Sequence, residues 1–251
     1  MTAVKFGVIK FIGLPLAFLL SYLMILSVLG PDPVGREDVV TVPACVNVSG
    51  TSFFEICEYN VSETSGAPIY LIGDSNANHH KHGAFAAATS LGRPLSISTR
   101  GSCPPFAELP EPQALFPPEC ARNNYLMFDW LKKAKPGHVF LGFSGDKWMK
   151  EKNVDFETAT LVSLEDSIRV LQGAGHRVSV ISPLPSWPDH AKIGPRYCGL
   201  VFSLVSSCRS EMSLDGGSSS YYWFFLGKIT YLTESMHVSM VDIVPEICPD
   251  L

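Results

Sequence analysis

The sequence predicts an α/β fold with a mostly parallel sheet covered on both faces, and three observations predict it. Short apolar runs of strand length fall near residues 68–73, 95–98, 138–143, 177–182 and 237–241. Helical segments alternate with them near 76–91, 121–134, 156–174 and 218–234. No internal repeat breaks the alternation. Sheets of this kind hold ligands beyond the carboxyl ends of their strands, so chemistry is sought at that edge.

In chain order, residues 11–29 carry no charge, which is long enough to cross a bilayer core. Lys5 and Lys10 precede the run, whereas Asp32, Arg36, Glu37 and Asp38 follow it. That bias puts the N-terminus in the cytoplasm and the remainder outside. The run exceeds a usual signal core and no small-x-small site stands before Pro31, so it reads as an uncleaved transmembrane anchor over residues 1–30. It also explains the mean hydropathy of +0.18. A net charge of −5 gives no electrostatic footprint for nucleic acid.

Residues 31–65 are rich in Pro, Val and Ser without a long helical period, and read as an extracytoplasmic linker ending in a small disulfide loop. The seven cysteines suit an oxidising compartment. Cys45 and Cys57, Cys103 and Cys120, and Cys198 and Cys208 each bracket a loop and are candidate disulfide pairs, although connectivity stays open. No Cys-x-x-Cys or His-x-x-x-His cluster accompanies them, so neither a metal site nor a cofactor is expected. Residues 183–217 are rich in Pro, Ser and Gly and read as a long loop, either an active-site flap or an ordinary surface connection.

The first core strand, within 68–72, runs into Gly73-Asp74-Ser75-Asn76-Ala77-Asn78-His79 and then an Ala-rich helix. Gly73 tolerates a sharp turn and Asp74 suits a helix start. Ser75 thus falls where a hydroxyl stands at a sheet edge beside free helical N–H groups, a geometry fit for a nucleophile and an oxyanion. Asp74 or Ser75 would occupy the same place as a plain helix cap.

Strand-Gly-Asp-Ser-x-Ala-x-His resembles the first block of SGNH (GDSL-type) hydrolases, in particular the extracytoplasmic SGNH domain fused behind bacterial membrane O-acyltransferases. Gly101-Ser102-Cys103-Pro104-Pro105 resembles that subfamily's Ser-Gly-Cys-Pro-Pro block. The strand from His138 through Ser144 to Trp148, and the late Val241-Asp242 and Ile247-Cys248-Pro249-Asp250, match in order. The resemblance covers residues 66–251. It implies a three-layer α/β/α sandwich with a flavodoxin-like sheet, and O-acyl (acetyl) transfer or hydrolysis on a cell-envelope polysaccharide through an acyl-Ser75. It also implies a bacterial inner-membrane location, with the domain in the periplasm. The partners so implied are the membrane, a glycan, an acyl donor and an integral-membrane acyltransferase domain.

A serine needs a histidine to take its proton and a carboxylate to hold that histidine. The family supplies both from a late Asp-x-x-His, which residues 1–251 do not contain. The family's partner for Cys248 is missing too, and the two absences together read as a truncated chain. Glu234-Ser235-Met236-His237 mimics the motif, making His237 and Glu234 the fallback acid-base pair. Besides the Ser75 N–H, the candidate oxyanion or substrate-binding residues are Gly101, Ser144, Asp74, His79 and Trp148. The alternative from another class is a non-catalytic glycan-binding or partner-docking remnant.

Overall fold

Residues Ile69–Gly73 form the central strand β3, and all five are buried because helices cover both of its faces. The computed structural model describes residues 42–43, 46–47, 55–59, 66–111, 113–144, 154–183 and 218–242. All belong to the unit spanning Val40–Ser186 and Leu214–Leu251. Two short strands, β1 (Val46–Asn47) and β2 (Cys57–Tyr59), precede β3. After it come α1 (Ser75–His79), α2 (Lys81–Ser90), β4 (Leu95–Thr99), α3 (Cys120–Lys133), β5 (His138–Gly142), α4 (Val154–Gly173), β6 (Arg177–Ile181), α5 (Ser218–Ser235) and β7 (Ser239–Val241). The expected α/β alternation is therefore present.

The seven-stranded sheet has the order β1-β2-β4-β3-β5-β6-β7. From β4 to β7 every pairing is parallel. The segment read as a linker departs from expectation, because β1 and β2 extend the sheet antiparallel, with Cys57 opposite Ile97 and Tyr59 opposite Leu95. Strands this short show no period-two pattern. They are held by pairing and by burial of Tyr59, whose ring meets Phe85 edge-on at 5.8 Å.

Alternation along the strands sorts the core into two layers. Tyr70, Ile72, Val139, Leu141, Val178 and Val180 face α3, α4 and α5, where Leu131, Ile168 and Ile229 are fully buried. Ile69, Leu71, Leu95 and Ile97 face α1 and α2, against Ala77 and Ala88. The single helix expected over 76–91 is two, because His80 closes α1 with an N–H to Ala77 O at 3.0 Å before α2 begins.

Between layers, buried His176 accepts from the Gly137 N–H through Nδ1 and donates from Nε2 to Leu131 O, tying the end of α3 to the start of β5. The Tyr70 hydroxyl donates to Lys135 O at 2.7 Å, and burial, with Glu58 nearby, pushes its pKa up to about 12. Buried Glu157 on α4 pairs with Lys228 on α5. Cys103 and Cys120 form a disulfide, as paired from the sequence. Cys57 is disulfide-bonded as well, and Cys45 lies outside the described residues. Cys198, Cys208, the long loop within 184–217 and the apolar run over 11–29 also lie outside them. Among the described residues no helix is long and apolar enough to cross a membrane.

At the N-terminal edge, His138 Nε2 lies 2.7 Å from Ser179 Oγ, which in turn is 2.5 Å from Ser239 Oγ, a hydroxyl chain across β5, β6 and β7. Burial, then the Arg177 and Arg93 guanidiniums, push the His138 imidazole down to about 4. The unfolded chain takes up this proton near pH 6.5 and the folded one only near pH 4. The stability held here is therefore complete above about pH 6.5 and is lost as the pH falls through about 4. His138→Gln should flatten that acid limb, read as urea midpoints at about pH 7 and about pH 4.5.

Candidate active site

Three strand ends meet at the carboxyl edge, where Gly73 pairs with Thr99 on one side and Gly142 on the other. The contact at Gly73 is too close for any side chain. A Cβ there would sit 1.8 Å from Gly142 O and 2.6 Å from Ala77 Cβ. Its φ of 157° also lies outside the range that other residues favour. Gly142 faces Ala77 as well, with a notional Cβ 3.0 Å from Ala77 Cβ. Small residues on both strands thus let α1 rest directly on the strand ends.

Asp74 caps α1 and is 1% exposed. Its Oδ1 accepts the Asn76 N–H at 2.8 Å, and its Oδ2 accepts the Ser144 N–H at 2.7 Å, from the loop after β5. Its own N–H donates to Gly142 O at 3.2 Å. The carboxylate therefore staples the helix start to the neighbouring strand, a positioning role rather than a substrate contact. For the same reason the Ser144 N–H is engaged and is not a free oxyanion donor.

Ser75 opens α1 and is exposed at the rim. Among the described residues nothing hydrogen-bonds its hydroxyl. As the first helical N–H, its backbone donor has no acceptor within the helix. Around it, Asn76 Nδ2 donates to Phe143 O at 3.3 Å, and the Arg100 N–H donates to Gly73 O at 2.9 Å. The Thr99 hydroxyl reaches Asn78 Oδ1 at 3.5 Å. Gly101 follows in the exposed turn after β4, with open space where a Cβ would stand. Asn76, Asn78, Thr99 and Arg100 were not singled out from the sequence; the only signal was the asparagine pair flanking Ala77.

His79 ends α1 on the face that Ser75 begins and is exposed. Burial and the neighbouring His79 hold His80 below the usual histidine range. Trp148 lies outside the described residues. Among those residues no group of three His, Cys, Asp or Glu side chains converges as a metal site.

The fallback pair does not join this site. His237 has φ 54° and terminates α5: its N–H donates to Glu234 O, and the Val238 N–H to Thr233 O at 2.8 Å. This is a helix C-terminal motif, in which a left-handed residue closes the last turn. The residues then enter β7, parallel to β6, so His237 and Glu234 stand at the N-terminal edge while Ser75 stands at the carboxyl edge. β7 is also three strand spacings from β3, about 14 Å laterally. The Glu-x-x-His spacing reflects helix termination, not proton transfer.

The family model of the SGNH domain (fused to AT3 domains) matches residues 44–250. Among solved structures, the periplasmic domain of the Salmonella ser. Paratyphi A lipopolysaccharide acetyltransferase shares the fold. Its TM-score is 0.50 at 18% identity, covering 73% of this chain and 68% of that one. No curated protein matches the chain.

Proposed function

This chain belongs to the SGNH domain family, in the form fused to AT3 domains, and on that premise we propose that residues 66–251 act in O-acyl (acetyl) transfer or ester hydrolysis on a cell-envelope polysaccharide. The observation that carries the reading is the exposed Ser75 hydroxyl at the first position of α1, fixed by Asp74 and by the glycine contact beneath it. The Salmonella relative, a lipopolysaccharide acetyltransferase domain, supports the reaction class. In the same proposal residues 1–30 anchor the domain in a bacterial inner membrane, residues 31–65 lead from it, and the domain faces the periplasm beside an integral-membrane acyltransferase.

In the first step Ser75 Oγ attacks the acyl carbonyl, its N–H receives the developing oxyanion, and the donor's leaving group departs with the serine proton. In the second, a sugar hydroxyl or water attacks the ester and returns a proton to Ser75. Gly101 and His79 flank the approach as substrate contacts. The proton acceptor is not His237, and residues 1–251 contain no Asp-x-x-His. Chemistry by these residues alone is therefore impaired, slower than a complete triad by about 10⁴-fold or more.

A fluorophosphonate incubated with the 251-residue chain should label Ser75 slowly, found by peptide mapping. Ser75→Ala should abolish the label and His237→Ala should leave its rate within about twofold. Labelling that survives Ser75→Ala refutes the nucleophile. The second reading, a glycan-binding or partner-docking module, draws support from the lack of an acid-base pair beside Ser75 among the described residues. Saccharide binding by the full chain without any turnover of an acetyl ester selects it.

A further inference from the structure

At the opposite edge of the sheet from Ser75, a cleft of about 380 Å³ is lined by Arg93, Arg177 and His138 over a floor of Ala67, Pro136, Gly137 and Gly175. We propose that this cleft is a phosphate-binding site, with the Arg93 and Arg177 guanidiniums as its charged clamp. The proposal stands apart from the chemistry at Ser75.

The two arginines reach the cleft from different elements. Arg177 opens β6 directly opposite His138 on β5, so their side chains stand together on one face. Arg93 precedes β4 and crosses the start of β3, where its Nε donates to Ala67 O and its Nη2 to Pro68 O at 3.3 Å. Two carbonyls thereby hold the fork in place while N–H groups on Nη1 stay available. Among the described residues no carboxylate lines the cleft, and neither guanidinium takes part in an ion pair. The resulting field acts on His138, whose proton affinity is lowered first by burial and then by both arginines. Two guanidiniums converging without a counter-charge match a tetrahedral dianion, which accepts bidentate bonds from each, better than a single carboxylate.

The phosphate has two sources, a lipid headgroup or a soluble phosphate, and one titration separates them. The full chain in neutral detergent is titrated at low ionic strength with inorganic phosphate and, separately, with short-chain phosphatidic acid, whose headgroup is a phosphomonoester, below its micelle concentration. Saturable phosphate binding is expected, weakened at least tenfold by Arg177→Gln, with partial recovery in Arg177→Lys. Arg177 is exposed and its side chain makes no hydrogen bond within the described residues, so the substitution leaves the fold intact. Binding of the lipid at least tenfold tighter than phosphate assigns a headgroup. Equal or weaker lipid binding assigns a soluble phosphate. Either result upholds the site, whereas phosphate affinity unchanged by Arg177→Gln, or no saturation, overturns it. Ser75→Ala should leave these affinities unaltered, which keeps this test distinct from that of the acyl-enzyme.

Discussion

Gly73→Ala should cost about 3 kcal/mol of folding stability and abolish Ser75 labelling. The added methyl would lie 1.8 Å from Gly142 O, a backbone atom that cannot rotate away. Relief requires β3 and β5 to part at their ends, which stretches the Asp74 N–H bond to Gly142 O and lifts the start of α1 with Ser75 on it. Gly142→Ala tests the same packing more gently, because its Cβ would meet the Ala77 methyl at 3.0 Å and the Ala77 Cα at 3.2 Å, with nothing closer. Adding Ala77→Gly should restore Gly142→Ala and fail to restore Gly73→Ala, since the worse clash in the latter is with a carbonyl. Urea denaturation of the variants, with labelling measured on each, reads both effects. Equal rescue of the two would show that Gly73 is constrained only by the helix.

The order of β3 to β7 and the helices between them were legible because each carries enough apolar residues to declare its period. Ser75 was legible for a related reason: a buried strand ending in Gly-Asp-Ser before an Ala-rich helix leaves few other places for the hydroxyl. The strands β1 and β2 were not, since two or three residues cannot establish alternation and the pairing of β2 with β4, on which β1 in turn rests, is long-range. Asp74 was legible as a helix start but not as a clamp, because its second partner, the Ser144 N–H, lies on another strand's loop. Glu234 and His237 show the opposite failure. Their spacing matched a catalytic motif in residue type, while the helix end that contains them imposes the same spacing and faces the wrong edge. A pattern of residue types carries no direction along a strand; only the parallel register of β7 supplies it.

Asp74→Ala separates a helix cap from a cross-strand clamp by magnitude. Loss of an ordinary cap costs about 1 kcal/mol. Here the substitution strips acceptors from two N–H groups, those of Asn76 and Ser144, beneath a side chain that is 1% exposed. A buried donor left without a partner carries its full desolvation cost, so the expected loss is about 3 kcal/mol. Asp74→Asn narrows the cause further, because an amide keeps one acceptor oxygen and turns an NH₂ toward the other N–H. It should fall between wild type and Asp74→Ala in stability, and its Ser75 should label more slowly, since the loop after β5 no longer holds α1. Asp74→Glu keeps the charge but lengthens the side chain, and should rescue neither property if geometry governs. A loss of about 1 kcal/mol in Asp74→Ala with undiminished labelling would reduce Asp74 to a cap, and would leave the glycine contact and the bonds to Gly142 O and Phe143 O to hold Ser75 at the sheet edge.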